Sequence, residues 1–136
     1  MPGWNRLIAE TVPRDVVRTA EIIRYYGEQA DKIEGVLTTT AADATCMIVH
    51  EPYGVVGAII PWNFPLINAA MKVAPALVAG NAVLLKPSEL TPFSAVRLAE
   101  LAVEAGLPAG LFNVLQGGGA TGSAIVRHPA VGKVSF

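Results

Sequence analysis

The chain has 136 residues, of which 52% are hydrophobic and 15% charged, and its 10 Lys and Arg nearly balance its 11 Asp and Glu. This length allows one domain with a real core, and the near-neutral charge excludes a nucleic-acid binder that depends on a stripe of cations. The single cysteine, Cys46, cannot form an internal disulfide and no leader of basic and then apolar residues opens the chain, so we expect a cytoplasmic protein.

The first part of the chain is predicted to form a helix followed by an extended ribbon. Apolar residues recur at helical spacing over residues 14–34, which predicts one amphipathic helix that Gly35 ends. Residues 36–49 are rich in Thr and Val, a composition typical of a half-exposed ribbon. We therefore assign residues 1–35 to an N-terminal helical segment and residues 36–52 to a β ribbon.

Residues 52–71 carry no charge and are the most membrane-like stretch of the sequence. Lipid cannot satisfy the polar groups that glycine, proline and asparagine leave in this stretch, at Gly54, Gly57, Pro61, Asn63, Pro65 and Asn68. We therefore expect no membrane insertion and interpret the stretch as a buried strand that leads into a buried helix.

From residue 53 onward, apolar runs alternate with helices, which is typical of a parallel sheet covered on both faces. We predict strands at 55–60, 82–85, 111–115 and 133–136, the last of them cut off by the end of the chain.

Three helices are predicted between these strands. The first covers 65–79, with a kink or restart at Pro75 and an end at Gly80. The second starts at a Thr91-Pro92 cap and closes at Gly106. The third covers 121–127. The second helix has a predicted buried stripe formed by Ala95, Val96, Ala99, Ala102 and Val103. This alternation predicts an α/β fold with a Rossmann-like, doubly wound parallel sheet and right-handed crossovers.

Ligands bind beyond the carboxyl ends of the strands in such a sheet, so the residues that follow each strand are the candidates. The first segment is Pro61-Trp62-Asn63-Phe64-Pro65, in which two prolines fix the backbone around an aromatic ring and an amide. Asn63 can simply cap the next helix, since Asn is a favoured cap. Alternatively, its N–H groups stabilise negative charge on a reacting carbonyl oxygen.

The second segment is Lys86-Pro87-Ser88-Glu89, which places a cation and an anion directly after a buried strand. The pair can be an incidental surface ion pair worth about 0–1 kcal/mol. It can also bind a ribose, because a carboxylate accepts from the two hydroxyls and an ammonium donates to them. The position after a strand favours the ribose interpretation.

The remaining candidates give weaker signals. The segment Gly117-Gly118-Gly119-Ala120-Thr121-Gly122 matches the Gly-x-Gly-x-x-Gly pattern, but the expected acidic residue would lie beyond the chain, so we do not interpret it as a pyrophosphate loop. Cys46 has no nearby base, and we expect a small, at least half-buried side chain there. His50 and His128 lack metal-ligand spacing, so we predict no metal site.

In this order and spacing, the three segments closely resemble the amino-terminal half of the cofactor domain of NAD(P)-dependent aldehyde dehydrogenases. The resemblance runs over residues 9–136. It rests on four motifs: Glu51-Pro52-Tyr53-Gly54-Val55-Val56-Gly57, Pro61-Trp62-Asn63-Phe64-Pro65, Gly80-Asn81 and Lys86-Pro87-Ser88-Glu89.

The resemblance implies an oxidoreductase that converts an aldehyde to a carboxylic acid through a cysteine thioester. It implies that Asn63 is catalytic and donates to the oxyanion formed when a cysteine attacks the aldehyde, before hydride passes to the nicotinamide. The cofactor-binding residues that it implies are Ile59, Ile60, Pro61 and Trp62 beside the nicotinamide, Lys86, Pro87, Ser88 and Glu89 at the adenosine ribose, and Gly118 and Gly122 under the adenine.

The same resemblance makes residues 53–136 part of an NAD(P)-binding domain and the ribbon a subunit-association element, so it implies a homo-oligomer. NAD is the expected cofactor, with NADP as the alternative, because Glu89 would repel a 2′-phosphate.

Two features depart from the family pattern. Residues 1–5 do not resemble the family, and its nucleophilic cysteine and activating glutamate lie downstream of the motif that begins with Val134-Ser135-Phe136. We therefore expect the 136-residue chain alone to be inactive. The alternative is a non-catalytic module that binds nucleotide or joins subunits.

Overall fold

The computed structural model describes the backbone of residues 2–136 and the side chains of residues 12–40 and 42–136. Met1, the first residue of the predicted helical segment, lies outside the described residues. The elements in chain order are α1 (Pro2–Gly27), β1 (Val36–Ala41), β2 (Ala44–Ile48), β3 (Val55–Ile59), α2 (Pro65–Val78), β4 (Ala82–Lys86), α3 (Phe93–Glu104), β5 (Phe112–Val114), α4 (Gly119–Arg127) and β6 (Val131–Ser135).

Helix α1 packs against α2, but its predicted end at residue 34 is wrong, because it ends at Gly27. Beyond Gly27 the amide of Gln29 donates to the carbonyl three residues earlier at 3.0 Å, as does that of Lys32. Residues 27–34 are mostly exposed, so no neighbouring element holds them in a helix. The periodic pattern alone therefore predicts too long a helix.

Strands β1 and β2 form an antiparallel two-stranded ribbon in which Val36 pairs with Ile48 and Thr38 with Cys46. Every residue of β2 is exposed. Cys46 is a free, exposed cysteine, so the expectation of a buried or half-buried side chain is wrong. The reason is that the ribbon projects without a packing partner on either face among the described residues. In the part of the chain that the structure describes, no group of His, Cys, Asp and Glu could hold a metal ion.

The remaining strands form one parallel sheet in the order β5-β4-β3-β6, which confirms the predicted doubly wound arrangement. Helices α2 and α3 cover one face, where Val56, Ala58 and Ile60 point. Helix α4 covers the other face at β3 and β6, and it passes so close to Gly57 that a Cβ there would press on Ile125. None of the described helices has both the length and the apolarity that crossing a membrane requires.

The hydrophobic core lies between the sheet and α2 and α3. Its buried residues come from β3, α2, β4, α3 and β5, and they are Ala58, Ile60, Ala69, Val73, Val83, Leu85, Ala95 and Phe112. In α3 the predicted stripe is partly wrong. Val103 is 56% exposed, while Leu98 packs on the core with Ala99 and Ala102. The stripe therefore follows i, i+3, i+4 and i+7 from Ala95.

Helix α2 runs through Pro75 without a restart and ends at the residue before Ala79, and Gly80 takes a left-handed φ of 82° as predicted. Asn81 follows and is only 4% exposed. Its Oδ1 accepts from the Gly54 amide at 3.1 Å, and its Nδ2 donates to the carbonyls of Ala76 at 3.0 Å and Ala79 at 3.4 Å. Asn81 therefore fastens the end of α2 to the start of β3.

We expect Asn81→Ala to lower the free energy of unfolding of the chain by about 2–4 kcal/mol, because the buried Asn81 side chain and its three part-buried hydrogen bonds are lost. Urea unfolding followed by circular dichroism measures the change. Asn113→Ala is the matched control, since that exposed amide only donates to Gly110 in a turn. A loss at Asn81 no larger than the control loss contradicts the assigned role.

Candidate functional site

The candidate site lies at the point where the strand order of the parallel sheet reverses, beside β3. Strand β3 stands between β4 and β6. Helix α2, on one face, links β3 to β4, whereas α4, on the other face, leads from β5 into β6. In parallel α/β sheets this switch point opens a crevice beyond the carboxyl ends of the strands. Strands β3, β4 and β6 end at this edge of the sheet, and the chain leaves them after Ile59, Lys86 and Ser135.

Asn63 is exposed in the first segment and does not cap α2. The helix begins after Phe64, which takes the left-handed conformation at φ 50° and ψ 48°, and no side chain makes a capping hydrogen bond there. The backbone carbonyl of Asn63 accepts from Asn68 Nδ2 at 2.7 Å. The geometry therefore gives no support to the helix-cap interpretation and leaves the side-chain amide of Asn63 accessible from solvent.

The residues beside Asn63 differ in what they offer a ligand. Pro61 is exposed and Trp62 is 62% exposed, whereas Ile59 is half-buried. Ile60 is 2% exposed and belongs to the core, and its amide donates to the Lys86 carbonyl at 3.0 Å. The side chain of Ile60 is thus committed to packing, so Ile60 could line the crevice only through its backbone.

The second segment contains an asymmetric ion pair. Lys86 Nζ lies 3.6 Å from Glu89 Oε2, with the lysine side chain 7% exposed and the glutamate 62% exposed. Lys86 Nζ also donates to the Pro87 carbonyl at 2.9 Å. The Pro87 ring is fully buried, so its side chain fixes the loop, and Ser88 Oγ accepts from the Leu90 amide at 3.3 Å. Of these four residues, Glu89 presents the most accessible polar group.

The Glu89 carboxyl has a lowered pKa. A hydrogen bond from its own backbone N–H is the larger cause, and the positive charge of Lys86 is the next. The carboxylate therefore stays ionised at neutral and mildly acidic pH and can only accept hydrogen bonds. Vicinal hydroxyl groups, such as those of a ribose, are donors that match this group.

The glycine-rich turn lies against this pair. A Cβ placed on Gly118 would be 3.9 Å from Glu89 Oε1, and one on Gly122 would be 3.6 Å from Ile59 Cδ1 and 3.7 Å from Lys86 Cδ. The structure thus brings Ile59, Lys86, Glu89 and the two glycines together. Since neither glycine carries a side chain, the turn approaches the Lys86–Glu89 pair closely, and the acceptors of the carboxylate match the hydroxyl donors of a nucleoside.

The sequence did not indicate the conformation of Gly117 or the contacts of Thr91 and Asn68 in this region. Gly117 takes φ 147°, and a Cβ there would overlap Thr121 Oγ1, although the residue did stand in the glycine pattern. Thr91 was predicted to cap α3, but the cap position is Pro92, with no side-chain hydrogen bond. Thr91 Oγ1 instead donates to the Trp62 carbonyl at 3.3 Å. Asn68 contacts Asn63 as described above, and no sequence pattern marks either contact.

Residues 5–136 match the model of the aldehyde dehydrogenase family. The NADP/NAD-dependent aldehyde dehydrogenase PuuC of Escherichia coli (strain K12) is 48% identical over 130 residues, which cover 95% of this chain and 26% of PuuC.

Solved structures agree with this match. The aldehyde dehydrogenase KauB of Pseudomonas aeruginosa has a TM-score of 0.88 and 44% identity, covering 93% of this chain and 26% of its own. PnpE of Pseudomonas sp. WBC-3 has a TM-score of 0.87 and 47% identity, covering 90% of this chain and 25% of its own, and PnpE has also been solved with nicotinamide adenine dinucleotide. The chain spans about a quarter of the length of these relatives.

Proposed function

Since this chain belongs to the aldehyde dehydrogenase family, we propose that it supplies the oxyanion donor and part of the cofactor crevice of an enzyme that oxidises an aldehyde to a carboxylic acid with NAD(P)⁺. The observation that carries the proposal is the placement of Asn63. Its amide is exposed at the switch point and is not used as a helix cap, and the Lys86–Glu89 pair follows the neighbouring strand.

The role of Asn63 follows from where charge develops in the reaction. When a nucleophile adds to an aldehyde, the carbonyl oxygen becomes an oxyanion, and a fixed N–H donor stabilises it more than it stabilises the planar carbonyl. Cys46 lies in the exposed ribbon, away from the candidate site in the fold, so we do not assign it as the nucleophile. The thioester-forming cysteine and the activating glutamate of the family belong, in this proposal, to a part of the enzyme beyond these 136 residues.

The proposed cofactor site combines the second segment with the glycine-rich turn. Glu89 accepts from the ribose hydroxyls, Lys86 keeps that carboxylate charged and in place, and Gly118 and Gly122 leave room for the base. When bound, the nicotinamide cofactor supplies the hydride acceptor. The negative charge of Glu89 opposes a 2′-phosphate, so we propose NAD as the cofactor, with NADP as the alternative. The relative PuuC is an NADP/NAD-dependent enzyme.

The alternative function is a module that binds nucleotide or joins subunits without catalysis. The ribbon favours the second of these, because its apolar residues are exposed: Val36 is 53% exposed, Leu37 61% and Met47 72%. An association surface of this kind is compatible with the enzyme proposal, in which the ribbon would join copies of the chain into a homo-oligomer. An exposed free Cys46 further supports a reducing, cytoplasmic location.

A hybrid enzyme tests the proposal. In it, the segment of Escherichia coli PuuC that matches this chain is replaced by residues 5–136. We expect the hybrid to reduce NAD⁺ in the presence of an aliphatic aldehyde, and the absorbance of the reduced cofactor measures this activity. We expect the 136-residue chain alone to show no such activity.

The controls separate the two functions. Cys46→Ser in the hybrid should leave turnover unchanged, because we do not assign Cys46 as the nucleophile. Turnover by the chain alone would refute the assignment of the covalent chemistry to another part of the enzyme. A folded hybrid that binds NAD⁺ but does not oxidise the aldehyde would contradict the enzyme proposal and favour the non-catalytic module.

A further inference from the structure

Both peptide groups that flank the Cα of Asn63 are held by side-chain donors from other segments. The carbonyl before that Cα, on Trp62, accepts from Thr91 Oγ1 at 3.3 Å. The carbonyl after it, on Asn63 itself, accepts from Asn68 Nδ2 at 2.7 Å. Since a peptide group is planar, fixing its carbonyl also fixes the orientation of the group. The two bonds together restrain the backbone from which the Asn63 side chain projects.

The two donors come from two different segments, the loop after β4 and the first turn of α2. Thr91 ends the loop after β4, where its amide donates to the Ser88 carbonyl at 3.1 Å, and its hydroxyl is free for Trp62 because it does not cap α3. Asn68 lies in the first turn of α2, where its amide donates to the Phe64 carbonyl at 2.9 Å. The loop that carries Lys86 and Glu89 is therefore tied to the segment that carries Asn63.

This segment needs restraint for two reasons. Trp62, Asn63 and Phe64 are all exposed, so packing does not fix them. Phe64 also holds a left-handed conformation at φ 50°, which is unfavourable for a residue other than glycine and persists only where the surroundings determine it. An unrestrained Asn63 would have access to backbone orientations in which its amide misses the oxyanion.

We propose that Thr91 and Asn68 are positioning residues that hold the amide of Asn63 in its productive orientation. The inference rests on the proposed function of Asn63 and adds two residues that touch neither substrate nor cofactor. Their contribution is to keep the Asn63 donor in place when the oxyanion forms. Displacement of a catalytic group by about 1 Å is enough to slow a reaction strongly.

The test uses the hybrid enzyme with Thr91→Val, which keeps the shape and removes the hydroxyl, and with Asn68→Leu, which removes the amide. We expect each substitution to lower kcat by about three- to tenfold, as the loss of one restraining hydrogen bond allows, with the Kd for NAD⁺ changed by less than about twofold. Thr91→Ser should restore kcat. Asn113→Leu is the matched control for Asn68→Leu, because the exposed Asn113 amide donates to the Gly110 carbonyl in a turn and not to the segment that carries Asn63.

A double-mutant cycle distinguishes positioning from general damage. In an Asn63→Ala background, Thr91→Val and Asn68→Leu should cause no further loss of kcat, because the group that they position is gone. An equal loss in that background overturns the inference. An unchanged kcat for both Thr91→Val and Asn68→Leu also overturns the inference. In that case the proposed function of Asn63 still stands if Asn63→Ala alone lowers kcat. If Asn63→Ala has no effect, both proposals fail. If Asn68→Leu prevents folding, the kcat of Thr91→Val alone tests the inference.

Discussion

Replacing Asn63 by alanine in the hybrid enzyme is expected to lower kcat by about 10²–10³-fold, the usual loss when one oxyanion donor is removed. The donor acts mainly on the charge that develops after nucleophilic attack, so kcat and kcat/KM for the aldehyde should fall together. The Kd for NAD⁺ should change little, because the pair that we propose for ribose binding, Lys86 and Glu89, follows a different strand. Steady-state kinetics and a cofactor titration measure the two quantities.

A second substitution at the same position separates the catalytic role from the helix cap. Aspartate is as good a cap as asparagine, but it has no N–H to donate and adds a negative charge where the oxyanion forms. Asn63→Asp should therefore be at least as inactive as Asn63→Ala, without loss of thermal stability. Retained activity in Asn63→Asp, or a stability loss in Asn63→Ala with unchanged kcat, would return Asn63 to a structural role. Asn113→Ala serves as the control, since Asn113 is an exposed asparagine on β5, which is separated from β3 by β4.

The parallel sheet could be predicted because its two central apolar strands, β3 and β4, are short runs bounded by glycine, proline or polar residues. Burial on both faces requires such runs, and the helices between them show clear ends, as at Gly80. The end of α1 could not be predicted from the same signal. Apolar spacing continues past Gly27, but residues 27–34 are mostly exposed, and tertiary packing supplies most of the stability of a helix.

The candidate site was predictable where its residues follow strands directly. Asn63 and the Lys86–Glu89 pair were found because the carboxyl ends of parallel strands meet at one edge of the sheet. The contacts of Thr91 and Asn68 were not found, since a side-chain donor to a backbone carbonyl leaves no pattern in the acceptor. Thr91 is an example. Thr-Pro before an apolar run predicts a helix cap, but the Thr91 hydroxyl instead donates to the carbonyl of Trp62, 29 residues earlier in the chain.

Replacing Glu89 by glutamine in the hybrid enzyme is expected to weaken NAD⁺ binding by about tenfold while kcat changes by less than about twofold. Glutamine keeps the size of the side chain and one acceptor oxygen but loses the charge that strengthens hydrogen bonds from the ribose hydroxyls. Discrimination against NADP⁺ should also decrease, because the repulsion of a 2′-phosphate is removed. Fluorescence titration with both cofactors measures the two Kd values. Glu100→Gln is the control, since that exposed carboxylate pairs with Arg97 on α3.

The lowered pKa of Glu89 adds a pH dependence with a definite sign. Its own backbone N–H and the Lys86 charge favour the ionised form, so the carboxylate should bind ribose equally well from about pH 8 to about pH 5. Affinity should fall only in more acidic solution, where the pH drops through the lowered pKa of Glu89 and the carboxylate becomes protonated. Glu89→Gln should lack this acidic fall, because it has no proton to gain. A fall of equal size in the variant, or an unchanged Kd at neutral pH, would remove Glu89 from the cofactor site and leave its contact with Lys86 as a surface ion pair.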